Sequence, residues 1–150
     1  MKKIPTIFLR DAETNSKRLK NEPHPDCAWV FAGEGTATRK YDGTCCMIRN
    51  GSLYKRREVR RGKAVPADFE EVWHDEATGK IVGWVPVGDG PEDKWHQEAW
   101  KNLGLLTVDG TYELCGPKIQ GNPEGFDKHI LVSHSDAWQL IDVPTDLNEL

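Results

Sequence analysis

The chain has 150 residues, 37% of them hydrophobic, with a mean hydropathy of −0.64, long enough for one domain with a buried core. No apolar run approaches the roughly 18 residues of a membrane span, and Met1-Lys2-Lys3-Ile4-Pro5 lacks the apolar stretch of a signal peptide, so a soluble cytoplasmic protein without a membrane partner is expected. A net charge of −4 argues against a general nucleic-acid coat, yet Lys55 to Lys63 holds six cations and one anion, a local stripe suited to phosphate.

In chain order, Ile4 to Leu9 reads as a short apolar strand, and the polar stretch from Arg10 to Pro25 carries little signal. Cys27-Ala28-Trp29-Val30-Phe31 reads as a strand ending at Gly33-Glu34-Gly35. Those glycines read as a loop, because a dinucleotide fingerprint needs a third glycine and a following helix. Lys40 then stands at the mouth of a strand, with Asp42-Gly43 as a turn behind it. Thr44 to Arg49 favours β structure, Asn50-Gly51 is the preferred type I′ turn, and Ser52 to Val59 returns. That turn sets Arg49 against Ser52, Cys45 against Arg56 and Thr44 against Arg57, so the hairpin carries arginine back beside Lys40. Ideal alternation groups Arg57 with Thr44, Asp42 and Lys40, and a single bulge would exchange it for Arg56.

Residues 64–104 read as an insertion between core strands, with an acidic segment, a strand over Ile81 to Val87, and a helix opened by Pro91-Glu92-Asp93. Trp84, Trp95 and Trp100 are expected in the core rather than stacked on single-stranded RNA. Asp109-Gly110 reads as a second hairpin turn. In the strand that follows, Thr111, Glu113 and Cys115 share one face and Tyr112 and Leu114 the other. A glutamate on that face needs a partner, and an ion pair with a hairpin cation is one reading.

Gly116 to Gly125 is a loop, and Ile130 to Ser133 and Trp138 to Val143 read as strands. Thr145 to Leu150 has the pattern of a helix start, with Thr145 or Asp146 as cap and Glu149 completing a capping box. Cys27, Cys45, Cys46 and Cys115 lack a C-x-x-C spacing and read as reduced core residues. The five histidines show no ligand motif, so no protein metal ligands are expected; His129 and His134 should face opposite sides.

Four stretches carry a resemblance: Lys40-Tyr41-Asp42-Gly43-Thr44, the basic strand Tyr54 to Lys63, Tyr112-Glu113-Leu114-Cys115-Gly116-Pro117-Lys118, and Gly121-Asn122-Pro123. Together they resemble the covalent nucleotidyltransferases, the superfamily of polynucleotide ligases and RNA-capping guanylyltransferases. Gly83-Trp84-Val85-Pro86-Val87 and Glu113 to Gly125 are similar, more narrowly, to the 5′-to-3′ RNA ligase family of vertebrates, phages and bacteria. The resemblance runs from about Gly33 to Asp142.

That resemblance implies an α+β fold of the nucleotidyltransferase (ligase adenylation domain) type, a single domain over residues 1–150. Two mostly antiparallel sheets would flank a nucleotide cleft with Lys40 on its floor. It implies Lys40 as a nucleophile that takes AMP from ATP and passes it to an RNA 5′-phosphate for joining to a 3′-hydroxyl. Arg39, Arg56 and Arg57 are the implied cations, with Arg56 the one matched to the nucleotide and Arg57 in reserve. Asp42 and Gly43 would shape the turn close to the nucleotide, and Glu113 would bind its ribose. Mg²⁺ would bridge phosphate oxygens. Free lysine has a pKa of about 10.4, so neighbouring cations or desolvation must favour the neutral amine that attacks.

Family members continue with a Glu-Gly strand and a lysine-bearing strand. These C-terminal strands are expected to be missing here, the site being completed by more of the same chain or by a second polypeptide. A GTP-using capping guanylyltransferase, or a non-catalytic nucleotide- or RNA-binding fragment, are the competing readings.

Overall fold

The computed structural model describes residues 4–105 and 107–150. Contacts divide the chain into two compact units, residues 4–39 with Trp138–Leu150, and Lys40–Ala137.

In the terminal unit, β1 (Phe8–Asp11) pairs antiparallel with β2 (Asn15–Pro23). Asp11 closes the turn by accepting from the backbone N–H groups of Glu13 and Thr14. The polar stretch after Arg10 is therefore mostly strand. Its partner strand supplies the apolar anchor, a buried Phe8 set edge-on to Phe31 at 5.5 Å.

Three expectations fail in this unit. Cys27 to Phe31 is not a strand: His24 Nδ1 accepts from the N–H of Asp26, and Pro25 fixes the first helical φ, so a 3₁₀ turn (Pro25–Cys27) runs into α1 (Ala28–Phe31). Trp138 to Val143 forms one bridge, Thr38 to Gln139, rather than a strand. Thr145 to Leu150 forms a single turn in which Asp146 accepts from the N–H groups of Asn148 and Glu149, consistent with the cost of nucleating so short a helix.

The second unit is a six-stranded antiparallel sheet. Its strands are β3 (Thr44–Arg49), β4 (Ser52–Val59), β5 (Glu70–Asp75), β6 (Lys80–Pro86), β7 (Gly110–Cys115) and β8 (Ile130–Ser133), in the order β5-β6-β4-β3-β7-β8. One helix, α2 (Lys94–Leu103), follows a 3₁₀ turn at Pro91–Asp93, where the Pro-Glu-Asp signal places it. Both sheets formed by the described residues are antiparallel.

Asn50 and Gly51 have φ of 51° and 71°, the left-handed pair that a type I′ turn requires. The hairpin pairs Arg49 with Ser52 and Cys46 with Lys55 without a register shift. Asp109-Gly110 is not a second hairpin turn, because Gly110 opens β7, whose neighbours β3 and β8 are both remote in sequence. Asp109 serves the first hairpin instead, its carboxylate accepting from the N–H of Asn50 at 3.0 Å. The stretch 64–104 supplies two sheet strands and α2, and the acidic segment is edge strand β5. Charge on an edge discourages pairing with other chains.

Directly paired residues point to the same face of a sheet. Cys46, Ile48, Leu53, Tyr112, Leu114 and Leu131 therefore share one face, and all six are buried beneath Ala99, Trp100 and Leu103 of α2. Each large apolar side chain buried there is worth about 1.5–3 kcal/mol. On the opposite face, Cys45, Met47, Arg49, Tyr54, Arg56, Thr111, Glu113 and Val132 are each half-buried. Trp84 is buried and Trp100 packs on the core, as expected. All four cysteines are free, three of them buried and Cys45 half-buried. Among the described residues no helix is long and apolar enough to cross a membrane.

Candidate functional site

The half-buried face brings ionisable side chains together. β3 pairs with β7 so that Cys45 lies opposite Glu113, and β4 pairs with β6 so that Arg56 lies opposite Trp84. Continuing the hairpin register by one residue from Cys46 and Lys55 sets Cys45 opposite Arg56. Trp84, Arg56, Cys45 and Glu113 thus form one row across four strands, a cation and a carboxylate on either side of a thiol.

Burial pushes the Cys45 thiol up to about 11, the Glu113 carboxylate adds to the rise, and Arg56 opposes it. The thiol stays protonated at neutral pH and is a poor nucleophile. Arg57 falls on the other parity, opposite Gly83, with an exposed side chain. The arginine that shares a face with Glu113 is therefore Arg56, and no bulge is needed to put it there.

Alternation does not extend to Lys40, because strand geometry starts only at Thr44. What fixes the lysine segment is the approach of Gly43 to the end of β7. A Cβ on Gly43 would lie 2.2 Å from the Leu114 carbonyl oxygen and 3.0 Å from Cys115 Sγ, so only glycine fits. The preceding N–H of Asp42 donates to Glu124 Oε1 at 2.8 Å.

Glu124 belongs to the β7–β8 connection, whose far end is anchored under α2 by buried His129. That ring stacks on Trp95 at 4.5 Å, accepts from the Lys118 N–H at 3.2 Å, and lies 2.9 Å from Glu98 Oε1. Trp95 is thus occupied by an imidazole. His129 and His134 do lie on opposite sides of the sheet.

Lys40 lies in the segment that leads into β3 at the strand end carrying Cys45. It is five residues from Cys45, a chain reach of at most about 18 Å. Its side chain is exposed and has no hydrogen-bond or ion-pair partner among the described residues. Asp42 is exposed, and its backbone rather than its carboxylate is held. Arg39 ends the first stretch of the terminal unit, where its guanidinium stands 5.8 Å from the ring centroid of Trp138 and its N–H donates to the Trp138 carbonyl.

The partner of Glu113 is His134 rather than a hairpin cation. His134 Nε2 is 3.1 Å from Glu113 Oε2 and Nδ1 is 2.9 Å from Thr111 Oγ1. The sequence marks His134 only as a histidine following a short strand. Its link to Glu113 depends on the β7–β8 register, which the intervening loop does not announce.

Among the described residues no group of three or more His, Cys, Asp or Glu side chains is disposed to hold a metal. Two concavities lie away from the row. One of about 450 Å³ sits by the β3–β4 turn and α2, against Tyr54, Pro86 and Trp100. Another of about 650 Å³ lies in the terminal unit, against Ile7, Trp29 and Leu140.

No protein-family model matches the chain. A curated relative, RNA ligase 1 of Mus musculus, is 23% identical over 225 aligned positions that span 96% of this chain and 68% of that protein. The chain is therefore distantly similar to an RNA ligase along nearly its whole length.

Proposed function

We propose that the chain is an ATP-dependent RNA ligase domain, built on an adenylation-type fold, in which Lys40 carries AMP. The neutral amine of Lys40 attacks the α-phosphorus of ATP, a P–N bond forms, the bond to the bridging oxygen breaks, and pyrophosphate leaves. Arg56 faces the phosphates and offsets charge as it builds, while Glu113 accepts from a ribose hydroxyl. Asp42 with Gly43 sets the direction of the lysine. AMP then passes to an RNA 5′-phosphate, and a 3′-hydroxyl displaces it.

The observation that carries this reading is the row of Arg56 and Glu113 across β4, β3 and β7, at the sheet end where Gly43 clamps the lysine segment. The distant likeness to an RNA ligase supports it. Mg²⁺, if used, would be carried on the triphosphate oxygens.

Incubation with α-labelled ATP and Mg²⁺, read by intact mass, is the test. Wild type should gain one AMP and Lys40→Ala none, with the fold unchanged by circular dichroism. Label retained on Lys40→Ala refutes the assignment, and label from GTP alone would make the chain a capping-type guanylyltransferase. The exposed, unpaired side chain of Lys40 favours one rival, a nucleotide- or RNA-binding role without chemistry, for which the mass would not change.

A further inference from the structure

Resting on the reading of Glu113 as the group that meets a ribose, we propose that His134 is the positioning residue that makes the site select for a ribose hydroxyl. Strand pairing brings the two together: Tyr112 pairs with Ser133, and the N–H of His134 donates to the Thr111 carbonyl at 3.1 Å. His134 is therefore directly across from Thr111 and one diagonal step from Glu113, a separation that a long side chain spans.

Both ring nitrogens are engaged, Nδ1 with the Thr111 hydroxyl at 2.9 Å and Nε2 with Glu113 Oε2 at 3.1 Å. An ionised carboxylate only accepts, so Nε2 carries a proton. A hydroxyl can donate or accept, so Thr111 serves the ring in either charge state. The imidazole cannot turn without losing both bonds.

The consequence falls on the other carboxylate oxygen. Glu113 has 12% of its side chain exposed, and its Oε1 takes no hydrogen bond among the described residues. Beside it stands Cys45, a weak donor kept in the thiol form. That oxygen is not among the buried side-chain atoms left without a partner, so it meets solvent and can accept from a ligand hydroxyl on that face, a bond strengthened by the charge on the acceptor. A lysine or arginine in place of His134 would cover more of the carboxylate. The imidazole takes one oxygen and leaves the other open.

The test compares AMP labelling by ATP, 2′-deoxy-ATP and 3′-deoxy-ATP over a range of concentrations. Wild type should prefer ATP over at least one deoxy analogue by about tenfold or more, as for a lost hydrogen bond to a charged group. His134→Ala should shrink that preference several-fold by raising the ATP concentration for half-maximal labelling, with final labelling retained. His134→Gln, whose amide N–H can reach Glu113, should restore part of it. Thr111→Val frees the ring and should give a smaller loss in the same direction, which keeps the test open if His134→Ala fails to fold.

A folded His134→Ala with the wild-type ratio overturns the proposal. So does a wild type that labels equally well with all three nucleotides, and either result leaves the ligase reading standing. A wild type that takes label from no nucleotide overturns both.

Discussion

The two faces of the six-stranded sheet are made by the same strands and differ in what each residue must satisfy. Under α2, six side chains from four strands are buried and apolar or nearly so, and the charged group brought among them, Lys55, is matched to Asp93. On the other face Cys45, Met47, Arg49, Tyr54, Arg56, Thr111 and Glu113 are half-buried, and cations, a carboxylate, a thiol and an imidazole stand side by side. The covered face is arranged for stability. The half-buried face holds a carboxylate with one oxygen on His134 and the other without a partner among the described residues.

Substitutions on the two faces should separate these roles. The largest effect is expected at Asp93, which accepts from Lys55 Nζ and from the Gly88 N–H; Asp93→Ala strands a buried ammonium and should cost about 3–5 kcal/mol in urea unfolding. Arg49→Ala, which breaks the exposed pair with Glu70 on the other face, should leave the unfolding midpoint nearly unmoved. Next, Leu114→Ala should cost about 2–5 kcal/mol, whereas Glu113→Ala, one residue away on the other face, should weaken nucleotide binding while the protein stays folded. Equal destabilisation by the two would erase the distinction between the faces.

Gly43→Ala sits between these cases. Its Cβ meets a backbone carbonyl, so about 1–3 kcal/mol of strain is expected, together with slower AMP labelling because the lysine segment must move. Unaltered labelling with unaltered stability would mean that the approach of Gly43 to Leu114 does not hold the lysine segment.

The smallest effect is in pH. Burial pushes His96 below the ordinary imidazole value, Asp93 opposing and Lys55 adding to the fall. The unfolded ring therefore takes a proton below about pH 6.5 before the folded ring does, so stability declines as pH falls through that value. Burial alone would raise Asp93, but hydrogen bonds from Lys55 and the Gly88 N–H, with the charge of Lys55, hold it below the usual carboxylate range. Its contribution is complete above about pH 3.9 and lost only below. His96→Gln should remove the upper window and leave the lower, as read by denaturant midpoints between about pH 8 and about pH 3.

The sequence made the β3–β4 hairpin legible because Asn50-Gly51 dictates both turn and register. It also gave the alternation of β7, whose buried residues are Tyr112 and Leu114. Strand β2 and edge strand β5 went unseen because charged residues cover them, so apolar alternation is absent. Cys27 to Phe31 looked like a strand from composition, yet the His24-Pro25-Asp26 start overrides that preference locally. Arg56 was matched through likeness and not through parity, since alternation alone tied Arg57 to Lys40. The structure removes the conflict by ending strand geometry at Thr44. His134 was out of reach because its contact with Glu113 is a cross-strand register, and the Gly116 to His129 connection has no turn type that sets one.

The position of β3 between β4 and β7 has a consequence in time. Strand β4 joins it through a two-residue turn, an event of about microseconds. Strand β7 reaches β3 only by closing the long intervening chain, a step that is slower and entropically dearer. A nascent or partly opened chain therefore presents the guanidinium of Arg56 well before it can offer the carboxylate of Glu113. The juxtaposition of the two groups is a property of the finished molecule alone.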